Sequence, residues 1–181
     1  MSELKVFADN NGATALETTR DTAKIAQKLG AVGALFEQWP LQKQVGAGDS
    51  QEAILLAYQS DVGRIVTEHG FVTVDVISLD SSNPNKDAMR QTFLNEHRHT
   101  EDEVRFFVDG CTLFYLHIEN KIYSVLCERG DLLSVPANTP HWADLGSNPR
   151  LASIRFFNNP EGWVAQYTGS TIAALFPTLE N

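Results

Sequence analysis

Three histidines and one glutamate, His97, His99, Glu103 and His141, carry the chemistry that can be read from this chain. Imidazole nitrogens with a single carboxylate oxygen suit a divalent first-row transition metal, and four protein ligands leave coordination positions open for a substrate or dioxygen. A closed structural zinc site more often uses cysteine, and neither Cys111 nor Cys127 stands in a CxxC spacing. Taken singly, each histidine reads as a surface or hydrogen-bonded core residue. The set gains force because three of only five histidines fall in it. His69 and His117 are read as structural.

Spacing puts these groups on one side of a strand. Residues two apart in an extended segment share a face, so His97, His99, Glu103, Arg105 and Phe107 point one way while Val104, Phe106 and Val108 point the other. Arg105 then enters the same cavity as the ligands. His141 has to come from a second strand, following the turn PANTP, whose two prolines fix the backbone. Glu96, next to His97, is a candidate base.

The elements that position them follow from periodicity. A helix is expected over Thr18 to Leu29, stopped by Gly30, and a second from Gln51 to about His69, capped by Asp49 or Ser50 and closed by Gly70. From Phe71 the period changes to two, with a strand to Leu79, a short helix over Lys86 to Leu94, and strands over 103–109, 112–118, 121–128, 131–135 and 151–157. Turns at Asp109-Gly110, Glu119-Asn120 and Arg129-Gly130 separate them. Closely spaced antiparallel strands with no room for crossover helices indicate a barrel or sandwich with the early helices packed outside.

At 181 residues the chain suits one domain. The expected division is a mostly helical part over 1–70, a barrel core over 71–160 and a C-terminal segment over 161–181. A net charge of -9, from 23 acidic and 14 basic residues, opposes binding to nucleic acid or anionic membranes. The start lacks a basic leader followed by an apolar core, and no apolar window reaches the roughly 20 residues that span a bilayer. A cytoplasmic monomer with reduced thiols is the expectation.

The stretch HRHTEDEVRFFVDG, with His-x-His, Glu103 and Gly110, resembles the first cupin motif, and GDLLSVPANTPH, with Gly130, Pro136, Asn138 and His141, resembles the second. Asn138 stands where glycine is usual, and asparagine tolerates the left-handed backbone a turn requires. Together with VPANTPHWADLG and IRFFNNPEGWVA, this wording is similar to the acireductone dioxygenases, across most of the chain. The resemblance implies a cupin-type antiparallel β-barrel (mainly β with flanking helices) holding one Fe(2+) or Ni(2+) on the four ligands. It implies a reaction of 1,2-dihydroxy-3-keto-5-methylthiopentene with O2 in methionine salvage, its products depending on the metal. Arg105 and Arg155 are then candidates to meet the substrate's negative charge, the other reading of Arg155 being a surface ion pair. Phe93, Phe107, Trp142 and Trp163 are candidates for the wall around the methylthio tail. Another cupin oxygenase or isomerase would keep the ligands and change the pocket, and a non-catalytic cupin would bind metal or a small ligand only.

Overall fold

The computed structural model describes residues 1–41, 44–160 and 164–180. Eleven strands run in chain order as β1 (Glu3–Ala8), β2 (Glu17–Thr19), β3 (Leu35–Gln38), β4 (Thr73–Leu79), β5 (His97–Arg98), β6 (Glu103–Ile118), β7 (Lys121–Glu128), β8 (Asp131–Val135), β9 (His141–Asp144), β10 (Leu151–Phe157) and β11 (Gln166–Tyr167). Four helices accompany them: α1 (Thr22–Gly30), α2 (Gln51–Ala57), α3 (Gln59–His69) and α4 (Lys86–Leu94). All strand pairs are antiparallel.

The long strand β6 belongs to both faces of the barrel. Its first half pairs with β8 and β10, its second half with β7 and β9. The bend between them falls at Gly110, whose φ is +70°. What reads in sequence as an Asp109-Gly110 turn between two strands is therefore a kink inside one. Glycine is required twice over, because a Cβ there would lie 1.7 Å from the Arg150 carbonyl oxygen. Left-handed backbone costs an ordinary residue about 1–2 kcal/mol before any clash. Gly110→Ala should therefore lower stability by roughly 2 kcal/mol or more, and a denaturation midpoint within error of the parent would refute this account.

Parity sorts the core as expected. Phe107, Phe114, Leu116, Leu133 and Val135 face the barrel interior, whereas Val104, Phe106 and Val108 face outward beneath Ile54, Tyr58 and Ile65 of the α2–α3 region. A third cluster, Phe7, Tyr115, Ile122, Trp142 and Phe176, lies under the C-terminal 3-10 helix Ile172–Leu175. The nine residues of α1 are too few to hold a helix alone. The Asp21 side chain caps it by accepting from Ala23 and Lys24 N–H, and Ile25 and Leu29 bury completely, for roughly 1.5–3 kcal/mol each.

Several boundaries differ from the sequence reading. Residues 1–70 supply three strands as well as helices, and β1 pairs with β7 along its whole length. Thr18 and Thr19 lie in β2, and α1 begins at Thr22. The expected 51–69 helix is two, broken at Tyr58 (φ -106°, ψ 17°), with Ser50 as the cap and Gly70 closing it in the left-handed conformation. The helix over Lys86 to Leu94 is as expected. Both cysteines are free thiols.

Candidate metal centre

Two short strands bring the four residues together. His97 on β5 pairs directly with His141 on β9, which in turn runs beside Leu116 of β6. Glu103 opens β6 from below. One ligand atom from each of His97, His99, Glu103 and His141 lies within 4.8 Å of the other three, and all four residues are buried. The turn before His141 is fixed from two sides. Asn138 takes φ +61° there, and its N–H donates to the His99 carbonyl at 2.7 Å.

Main-chain oxygens set the imidazoles. Nδ1 of His97 donates to the Asn95 carbonyl (2.7 Å), that of His99 to Val164 (3.1 Å) and that of His141 to Thr139 (2.8 Å). A carbonyl oxygen only accepts, so each Nδ1 carries the proton and Nε2 is the nitrogen left to offer a lone pair to a cation. Nε2 of His99 and of His141 both stand 3.1 Å from Glu103 Oε2. An Nε2–H donating to the carboxylate meets that distance, and so does a cation held among the three atoms. Burial, then the nearby His141, lowers the His97 pKa to about 4, which keeps it an uncharged donor. Three imidazole nitrogens and one carboxylate fit a divalent transition metal and suit calcium or magnesium poorly.

Glu103 is stabilised as an anion. Burial alone would raise its pKa, but the Arg105 guanidinium, whose Nε lies 2.6 Å from Oε1, helps hold the carboxyl well below the usual range. Arg105 is itself buried and sits 5.5 Å from the ring centres of Phe93 and Phe114. Its register partner across the sheet is Arg155, which binds Asp75 through Nε (2.6 Å) and Nη2 (2.5 Å). Arg155 thus forms an ion pair and also lines the cavity at the centre.

That cavity, about 150 Å³, is lined by Thr92, Phe93, His97, His99, Arg105, Arg155, Ala165 and Tyr167. Phe93 is one of these lining residues. Phe107 is not among the lining residues: it shares the ligands' parity but sits deeper, fully buried edge-on against Phe114. Trp142, the neighbour of a ligand on a strand, points to the other side and stacks on Tyr115 at 4.9 Å. Trp163 lies outside the described residues. Glu96 also turns away, accepting from His117 Nδ1 (2.8 Å) and from the Thr168 hydroxyl (2.6 Å). Its carboxylate thus serves to join β6 to the segment after β11, and His117 is engaged with it. Tyr167, Ala165 and Thr92 had no sequence signal, since a two-residue strand and a helix end carry no readable period.

Fold and centre together define a cupin, an antiparallel barrel that groups three histidines and a glutamate as candidate metal ligands. The ARD/ARD' family model matches residues 3–165. The chain belongs to that family. It is 51% identical over 181 residues to an acireductone dioxygenase of Pseudomonas paraeruginosa, covering all of both chains. With that of Alcanivorax borkumensis it shares 51% over 178 residues, 98% of each. The structure of an acireductone dioxygenase from Bacillus anthracis, with a cadmium ion in its active center, superposes with a TM-score of 0.80. It is 30% identical, and the match covers 92% of this chain and 98% of that one. No helix among the described residues is long and apolar enough to cross a membrane.

Proposed function

We propose that this chain, as a single cupin domain, is an acireductone dioxygenase acting on 1,2-dihydroxy-3-keto-5-methylthiopentene and O2 in methionine salvage, in the cytoplasm and as a monomer. The observation that carries this is the convergence of ligand atoms from His97, His99, Glu103 and His141 beside a small cavity lined by two arginines. His97, His99, Glu103 and His141 would hold one Fe(2+) or Ni(2+). Bound metal supplies a Lewis-acidic, redox-suited centre with open positions for oxygen ligands. The products are formate and 2-keto-4-methylthiobutyrate in the iron form, and methylthiopropionate, formate and carbon monoxide in the nickel form.

The chain's own residues bind and orient. Arg105, fixed by Glu103 and by two aromatic faces, presents positive charge that favours the substrate as an enediolate anion. Arg155, held by Asp75, adds a second cation from the adjacent strand. Among the described residues lining the cavity there is no carboxylate outside the ligand set, so the lining selects an already ionised substrate. Phe93, Thr92, Ala165 and Tyr167 offer an apolar wall for the methylthio end and exclude water from the reacting face.

Protein stripped with a chelator and reloaded with one metal at a time tests the reading. Iron-loaded protein should yield the keto acid, nickel-loaded protein carbon monoxide, and stripped protein neither. Oxygen uptake that is absent with both metals, or unchanged by stripping, would overturn the assignment.

A further inference from the structure

One wall of the cavity is formed by the end of α4, whose Thr92 and Phe93 line it and whose Met89 and Phe93 pack, partly buried, against the barrel core. None of its nine residues is fully buried, and Asn85, which precedes its first turn, makes no side-chain capping bond. Helices this short do not persist on propensity alone. Beside that packing and a bond from Lys86 Nζ to the Ser147 carbonyl (3.1 Å), α4 is oriented by Arg90, whose Nε and Nη2 reach the two carboxylate oxygens of Asp144 at 2.6 and 2.9 Å. Asp144 is completely buried and also accepts from Gly146 N–H (2.9 Å) and Leu179 N–H (2.8 Å). One carboxylate at the end of β9, three residues beyond His141, thus joins a ligand-bearing strand to a cavity wall and to the C-terminal tail.

We propose that Asp144 is a positioning residue for the substrate's methylthio end. Through Arg90 it sets α4 so that Thr92 and Phe93 close the cavity at a fixed distance from the metal ligands, while it touches neither metal nor substrate. The role rests on the acireductone reading above. A bidentate guanidinium–carboxylate pair fixes orientation as well as distance, which a lysine or an amide does not reproduce. Burial would raise the Asp144 pKa, yet Arg90 and the two backbone amides hold it below its ordinary value, so the carboxylate form is the one the site uses.

The test compares the methylthio substrate with an analogue that keeps the enediol but lacks the methylthio group, on iron-loaded wild type, Asp144→Asn and Arg90→Lys. Both variants should raise KM for the full substrate about tenfold and leave KM for the tailless analogue within about twofold. Metal content and kcat should stay close to wild type, and Asp144→Glu should restore part of the loss. Hydrogen exchange of the α4 amides, which needs no turnover, should quicken in both variants. Equal KM changes for the two substrates, kcat falling in step with metal content, or unaltered exchange in α4 would each overturn the proposal. Should Asp144→Asn fail to fold, Arg90→Lys decides alone, because Arg90 lies partly in solvent. A wild type inactive on acireductone would overturn the functional reading, and the exchange measurement would still decide whether Asp144 pins α4.

Discussion

His141→Ala protein should isolate with almost no metal and show no measurable acireductone turnover. The argument is one of donors. The four ligand atoms lie within 4.8 Å of one another, and losing one nitrogen leaves three donors around an open, polar, buried space. Even partners that only orient a metal ligand are worth about 10–100-fold in metal affinity or activity, so removing a ligand itself should cost roughly hundredfold or more in affinity. The barrel should survive, since His141 makes one backbone pair with β5 and three neighbouring residues of β9 continue the ladder with β6. Elemental analysis beside a circular dichroism spectrum checks both halves, and full metal occupancy in a folded variant would remove His141 from the ligand set.

Arg105→Met should behave differently with and without metal. In stripped protein the substitution leaves the buried Glu103 carboxylate without its guanidinium, and breaking a buried pair from one side costs about 3–5 kcal/mol. Once a divalent cation is bound, it neutralises the same carboxylate, so the cost should shrink to a fraction of that. Turnover should nevertheless fall about 10²–10³-fold in the loaded protein, the usual loss when a group facing developing charge is removed. Denaturation curves with and without metal give the stability difference, and steady-state kinetics give the turnover. Equal destabilisation in both states would show that Glu103 does not meet the metal, and unchanged kcat/KM would take Arg105 off the substrate.

The grouping of His97, His99, Glu103 and Arg105 was legible because strand parity is a local rule and these residues fall within a few positions of one another, whereas His141, on β9, was readable only from its type and the turn before it. Applied consistently, the same rule excludes Glu96 and Trp142, since the neighbours of His97 and His141 on a strand must face away. Parity does not encode depth, which is why Phe107 qualified by direction and still lies below the cavity against Phe114. Contacts distant in sequence left no trace at all. Asp75 and Arg155 are 80 residues apart, and nothing in either segment names the other. Strand β1 escaped notice because a short six-residue run with Leu4 and Val6 inward says little until β7 is seen beside it.

The carbonyl groups that fix the three imidazoles come from Asn95, Thr139 and Val164, in three separate stretches of chain. No side-chain substitution can delete them. Which nitrogen each histidine offers is therefore determined by the path of the backbone, and libraries that vary the residues around this centre will change its shape and charge while leaving the direction of its lone pairs untouched. Retuning that direction requires moving the chain itself, by insertion, deletion or proline, in one of those three places.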